Sequence, residues 1–350
     1  MKIDKINPVI TKQKIKGQFY TFRLIVQNKF ALTGLLVLLF LSLLAVFAEY
    51  VSPFNPDMQV LEFTAKGLNF KSKVLVKKSN SLIPIKDVIS DSGDSIIYKD
   101  YDGKEKLISK DGLLKPSHIK WEKNVTYLLG TDGLGRDILS RIIYGTRISL
   151  SVGLISQSIA LLIGIFFGAT AGYFKGITDK AVMWLINVVW AFPSILFVIA
   201  ISVVLGKGYW QAFVAIGFTG WVDIARIIRG QFFELREKEF VEAAKASGFK
   251  SPRIIFRHIL PNCIGPLVVS ATVGLATAII FEASLSFLGL GVQPPTASWG
   301  QMIYDGYIYI IVGTNWWIAI LPSIAILVTV LSVNLLGDGL RDSLDQKLIK

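Results

Sequence analysis

Charge is scarce in this chain of 350 residues. Asp, Glu, Lys and Arg make up 18% of it, against roughly 25% in soluble globular domains. With 52% apolar residues and a mean hydropathy of +0.54, a soluble fold would leave large apolar patches in water. The chain therefore reads as an integral membrane protein, not as a soluble enzyme or a disordered tail. Cysteine is reduced to Cys263, which permits no intrachain disulfide and no cysteine-cluster zinc site. The two histidines, His118 and His258, fall in different compartments on the topology derived below, so no pair can serve as a metal or acid–base site. No G-x-x-x-x-G-K-[ST] segment occurs; Gly103-Lys104 and Gly206-Lys207 lack the upstream glycine, which excludes a P-loop ATPase. Ionisable residues of the kind that proton relays need inside spans are also missing. Asp223 and Glu282 come nearest, and both fall toward predicted helix ends, where solvated capping is expected. The net charge of +12 matches the Lys/Arg bias of cytoplasmic membrane-protein segments better than a nucleic-acid surface.

What is present is a series of runs without charged residues, since each such residue costs roughly 2.5–3.5 kcal/mol at a helix centre. Phe30–Ala48 is 19 residues long, enough to cross a core of ~30 Å at about 1.5 Å per residue. It exceeds a usual signal-peptide apolar region, and no small-x-small cleavage site follows at Ala48-Glu49-Tyr50, so an uncleaved first span is expected. Ile148–Phe174 and Ala181–Gly206 give a second and a third. A fourth starts near Ala212 and meets Asp223, Arg226 and Arg229. The fifth runs from about Ile264 to Phe281. Gly306–Gly337 exceeds one crossing, so its first part is expected along the membrane surface before the sixth. The fold class is an all-α polytopic membrane protein of six transmembrane helices.

Lys and Arg in the loops set the orientation. The leader to Lys29 holds seven, the connector after the second span two (Lys175, Lys180), Arg226–Arg257 eight, and Ala283–Asn315 none. Both termini and the 226–263 loop are thereby assigned to the cytoplasm. Residues 50–147 carry 16 Lys+Arg against 12 Asp+Glu yet lie outside, as long loops translocate largely regardless of charge. Within that loop, Pro53 to about Tyr127 alternates β-branched and polar residues between turn signals, Asp102-Gly103 and Asp111-Gly112, and predicts a small β-rich insertion. Asn124-Val125-Thr126 fits a glycosylation tripeptide, a pattern common enough to arise by chance. The expected boundaries are a leader at 1–29, a first helix at 30–51, the insertion at 52–128, an amphipathic surface segment at 129–147, a membrane domain at 146–337 with a loop at 229–263, and a tail at 338–350.

In the second span Gly164, Gly168 and Gly172 recur every four residues, a smooth face that lets two helix backbones approach. The segment EFVEAAKASGFKSPRIIFRHILPN, Glu239–Asn262, reads as a helix ending at Gly248, a C′ glycine. Ser251 then acts as N-cap with Pro252 at the first helical position of a second helix. Ala243 and Ala244 are small enough to admit another surface. The bland alternative is a basic loop that only orients the protein.

Glu242-Ala243-Ala244, Gly248 and Ile259-Leu260-Pro261 resemble the EAA loop of binding-protein-dependent ABC importer permeases; His258 stands where that pattern usually has isoleucine. LGTDGLGRDILSRIIYGTRISLSVG from Leu129, GATAGYF from Gly168, FPSILF from Phe192, EASLSFLGLGVQPPTASWGQM from Glu282 and LLGDGLRDSLDQK from Leu335 narrow the resemblance to the second permease subunit of oligopeptide and dipeptide ABC importers, a type I importer fold. It spans about 129–347 and the first helix, but not the insertion. It implies no catalytic site and no metal or cofactor on this chain, with ATP and magnesium on partner subunits. Glu242, Ala243, Ala244, Gly248, Pro252, Leu260 and Pro261 would couple the chain to an ATPase. The implied partners are a homologous second permease subunit, two ABC ATPase subunits, an extracellular or periplasmic solute-binding protein, a peptide substrate and membrane lipid, with no nucleic acid, in a bacterial cytoplasmic membrane. Trp299, Tyr304, Tyr307, Trp316 and Trp317 could seat the binding protein, although an interfacial aromatic belt is the simpler reading. Asp132–Arg147 is expected as an amphipathic surface helix. Nickel or glutathione importers of the same branch, an ion-coupled secondary transporter, and a membrane anchor displaying the insertion remain as alternatives.

Overall fold

The computed structural model describes residues 26–115 and 120–348; His118 and most of the leader lie outside them. Besides a short helical turn at Ala48–Val51, the helices are α1 (Lys29–Val46), α2 (Ile138–Phe174), α3 (Gly176–Trp190), α4 (Ser194–Leu205), α5 (Tyr209–Leu235), α6 (Glu239–Ala246), α7 (Ser251–Ile254), α8 (Ile264–Phe287), α9 (Trp299–Ile311) and α10 (Trp317–Leu348). A π turn (Ile255–Ile259) and a 3-10 turn (Leu260–Cys263) join α7 to α8. Five helical stretches are long and apolar enough to cross a membrane, and α3 with α4 makes a sixth if the bent pair counts as one span.

That bend corrects the expected third span, a single helix over Ala181–Gly206. The two pieces meet at 88°. Pro193 has no N–H to continue the ladder and disfavours helical geometry at the residue before it; its own extended ψ of 126° starts α4 afresh. The fifth span also differs, because the helical path begins at Ser251 and runs to Phe287.

The chain divides into two compact units, one from residues 26–43, Ser149–Leu285 and 326–348, the other from Leu44–Ile148 and Ser286–Ala325. In the first, α2 lies against α5 through its glycine face. A Cβ at Gly164 would sit 2.6 Å from the Ile224 Cβ, one at Gly168 2.5 Å from the Ala225 carbonyl oxygen, and one at Gly172 would strike Phe232. Gly217 of α5 returns the arrangement by receiving Ile159 of α2. Ala171, Trp221 and Ala225 of this seam then close on Val182 and Ile186 of α3. The Asp179 carboxylate takes both Nε and Nη2 of Arg229, tying α3 to α5.

Glu282 of α8 is fully buried and accepts a 3.4 Å hydrogen bond from Ser149 Oγ; it is not the solvated cap the sequence suggested. Asp223 is likewise no cap, for it sits mid-way along α5. Neither assignment could follow from charge-free runs alone, since both α5 and α8 continue past their charged residue.

The second unit holds the β-rich insertion, an antiparallel sheet in the order β4-β3-β2-β1-β5, with β6 also pairing β1. Its strands are β1 (Phe70–Lys77), β2 (Leu82–Ser92), β3 (Ser95–Asp100), β4 (Glu105–Ser109), β5 (Leu113–Leu114) and β6 (Glu122–Tyr127). Successive side chains alternate faces, so Val74 joins a cluster with Phe63, Val125 and Tyr127, whereas Leu75 joins Ile85, Ile96 and Leu113 on the other side. Phe54 stacks on Tyr127 at 4.6 Å between centroids.

The expected surface helix over Asp132–Arg147 is absent. Residues 129–137 form turns and a bridge, and helix begins only at Ile138. Here Asp132, Arg136, Asp137 and Arg141 are buried. Arg136 donates through Nε to Asp132 at 2.6 Å and through Nη2 to Asp305 of α9 at 2.8 Å, and Arg141 reaches the Pro56 carbonyl at 3.2 Å. Buried ions left unpaired would each cost several kcal/mol. Gly135 takes φ +71°, and a Cβ there would strike the Val60 carbonyl, so only glycine fits. Trp299 is buried and donates to the Ile142 carbonyl at 3.0 Å, so it leaves the aromatic-belt group; Tyr304, Tyr307 and Trp316 stay exposed and Trp317 half-buried.

Valine at Gly168 should lower the thermal midpoint of the purified protein in detergent by several degrees, an overpacking penalty of ~1–3 kcal/mol. Alanine at Gly230, where an added Cβ meets nothing within 4 Å, should leave the midpoint unchanged or raise it slightly. Equal responses would overturn the glycine-seam account.

Candidate functional site

Two features of the first unit stand apart from simple span packing: the elbow from Glu239 to Asn262 and a cavity beside it. In the elbow, α6 ends as expected. Gly248 takes φ +75° and donates to the Lys245 carbonyl at 2.9 Å, and Phe249 donates to the Ala244 carbonyl at 3.2 Å. These two bonds are the paired closure of a Schellman C-terminus, in which glycine meets no Cβ penalty. The next helix starts one residue earlier than the sequence suggested: Lys250 is the extended N-cap, and Ser251 and Pro252 occupy the first two helical positions. Proline fits there because N–H groups of a first turn have no helical partner.

The elbow has two faces. Val241 and Ala244 are buried in one cluster with Ala160, Ala169 and Tyr173 of α2, Ile224, Ile228 and Phe232 of α5, and Ile254, Ile259 and Cys263 further on. Glu239, Phe240, Glu242, Ala243, Gly248 and Pro252 are exposed. Ala244 therefore packs inward, on its own protein, and is not open to a second surface as expected from its size; Ala243 is. Leu260 packs on the same cluster, and Pro261 is exposed on the wall of the cavity.

Charges hold the elbow's entry. Lys175 pairs with Glu237 at 2.7 Å, and its ammonium holds that carboxyl below its ordinary range. Arg236 donates to the Tyr173 carbonyl. Beyond the turn, the Arg253 guanidinium lies 4.2 Å from the Phe249 ring centroid, and Phe249 stacks with His258 at 5.6 Å. His258 is thus an aromatic packing partner at the position where the EAA pattern usually has isoleucine.

The cavity measures about 820 Å³, within the ~300–1,000 Å³ typical of small-molecule sites. Its wall includes Ser156 and Gln157 of α2, Thr219 and Asp223 of α5, and Ser270 and Gly274 of α8. Ala160 and Ile224 face it too, and both belong to the elbow's core cluster. None of its polar residues was assigned a site role from the sequence. The available signal was Ser156-Gln157 within an otherwise apolar span, and a carboxylate in α5 too far from either end to be a cap.

Residues 164–350 match the family described as the inner membrane component of binding-protein-dependent transport systems, and residues 20–69 match the N-terminal transmembrane domain of oligopeptide transport permease C. The chain is 37% identical over 327 residues to the dipeptide transport system permease protein DppC of Bacillus subtilis, covering 93% of this chain and 85% of that one. It is 42% identical over 233 residues to the glutathione transport system permease protein GsiD of Pectobacterium atrosepticum, covering 67% of this chain and 74% of that one. Among solved structures, a chain of the MetNI methionine ABC transporter in an inward facing conformation aligns at a TM-score of 0.48 and 21% identity, over 59% of this chain and 97% of that one.

The opposite faces of Ala243 and Ala244 make a paired test. Leucine at Ala244 should destabilise the protein by ~1–3 kcal/mol in detergent unfolding, through overpacking, while leucine at Ala243 should stay within about 0.5 kcal/mol of wild type. The reverse order would refute the assigned orientation of α6.

Proposed function

The chain belongs to the family of inner membrane components of binding-protein-dependent transport systems, and from that premise we propose that it is one permease half of an ATP-driven peptide importer, driven through the elbow around Glu242. The dipeptide and glutathione permeases among its relatives, both transporters of short peptides, support that substrate class. The observation that carries the coupling role is the two-faced elbow. Its inner face is continuous with the core of α2, α5 and α8, and its outer face offers Glu242, Ala243 and Gly248 to a partner.

On this reading the elbow docks in a groove of a cytoplasmic ATPase subunit. Glu242 makes the polar contact, Ala243 permits close approach, and Gly248 shapes the turn. ATP and magnesium are bound by two such ATPase subunits, and closure of that pair pushes the elbow. The push passes from Val241 and Ala244 into the helices they touch, which rock as rigid bodies between inward-open and outward-open states. A homologous permease forms the other half of the path, and a solute-binding protein delivers peptide from outside. Both termini then lie in the cytoplasm and the β insertion lies outside.

With the assembled complex in liposomes, Glu242→Lys and Gly248→Asp should each reduce ATP-driven peptide uptake by more than roughly tenfold, about 1.4 kcal/mol, while the permease stays in the membrane at normal amounts. The lysine variant lies on an exposed helix face and leaves the fold undisturbed; the aspartate adds strain of ~1–2 kcal/mol at a left-handed position. Uptake at wild-type rates in the lysine variant would overturn the coupling role.

A further inference from the structure

Asp223 lies fourteen residues into α5, roughly 21 Å from its start at 1.5 Å per residue, and no nearer a helix end than about 18 Å. Asp223 is exposed on the wall of the cavity, three residues before Arg226. Its hydrogen bond in the structure is from the Trp190 Nε1, at a long 3.3 Å. The nearest cation on its own helix, Arg226, is engaged elsewhere: its guanidinium lies over the Trp190 ring, 3.8 Å from the centroid. Among the described residues no cation comes within ion-pair distance of Asp223.

On the wall of the same cavity, Gln157 is 7% exposed and its Nε2 has no hydrogen-bond partner; Ser156, 1% exposed, has an equally unpartnered hydroxyl. An unpaired buried amide costs about 1–3 kcal/mol. The Gln157 amide lies where a Cβ of Gly274 would otherwise be, so the facing helix keeps a glycine to make room for it. A carboxylate with no cation in ion-pair contact and an N–H that lacks an acceptor thus line one cavity of about 820 Å³, with Arg341 elsewhere on its wall.

We propose that this cavity binds the amino-terminal end of a peptide, with Asp223 receiving its free ammonium group and the Gln157 amide donating to a peptide carbonyl. The proposal rests on the importer reading and gives it a substrate contact. Both contacts address groups that every free peptide carries, so side-chain identity and length are left unread. Ala160 and Ile224 connect the site to the elbow, since each touches the cavity and the core that holds Val241 and Ala244. Displacement of the elbow therefore reshapes the pocket that grips the ammonium.

The test uses the complete complex, with ATPases and solute-binding protein, in liposomes. Uptake of trialanine and of N-acetyl-trialanine is compared, each at a concentration that saturates the binding protein. The wild type should move the free peptide about tenfold faster, the effect of one charge-assisted hydrogen bond. Asp223→Asn should remove that advantage and leave the acetylated peptide's rate and the binding-protein-stimulated ATP hydrolysis in place, and Asp223→Glu should restore it. Equal wild-type rates for the two peptides, or an Asn variant that slows both by one factor or neither, would overturn the ammonium site. A wild-type complex that imports neither peptide on ATP would instead overturn the importer reading itself.

Discussion

Helices in lipid have no hydrophobic force to press them together, because the surrounding tails are as apolar as leucine. What remains is close van der Waals contact, and in this protein that contact is concentrated where α2 meets α5. Gly164, Gly168 and Gly172 bring the two backbones together, and Gly217 answers from the other helix. Everything of functional interest in the first unit hangs on this seam: the cavity is walled by the same two helices, and the elbow's inner face packs on both of them. On the α5 side Ile224, Ala225 and Phe232 fill the space those glycines leave.

The elbow and the cavity are therefore two surfaces of one packed body. Tight interiors respond to a push by moving as units, and the cluster that holds Val241 and Ala244 also takes in Ala160 and Ile224 of the cavity wall. The π and 3-10 turns between α7 and α8 lie at the junction, with Pro261 lacking the N–H that would stiffen it. That junction borders the cavity on one side and the core on the other.

Much of this was legible in the sequence because membranes penalise charge so strongly. Runs free of Asp, Glu, Lys and Arg gave the spans, the period of four gave the packing face, and Gly248 announced a helix end through its backbone freedom. The peptide importer family could be identified from the residues around Glu242 and Gly248 together with the outer motifs. The misses share one physical origin, that composition reports an environment and not a direction. Ala244 is as small as Ala243, yet only the helical phase set by Val241 decides which of them faces the core. Trp299 has the composition of an interface residue, but a glycine at Gly145 opens a slot for its ring. Asp132 to Arg141 looks amphipathic, and the glycine turns at Gly130 and Gly135 delay the helix and bury those charges together. Pro193 signals a possible break, but Pro322 lies inside α10 without one, so proline alone did not foretell the 88° bend. Asp223 was assigned to a helix end because the charged residues after it, Arg226 and Arg229, suggested one.

The insertion between the first two spans carries apolar clusters on both faces of its sheet. A segment with its own double-sided core can be lengthened, trimmed or recoloured at its loops while the membrane helices stay unchanged. Such modularity lets one lineage re-clothe this unit for a new docking companion while the membrane helices are inherited intact.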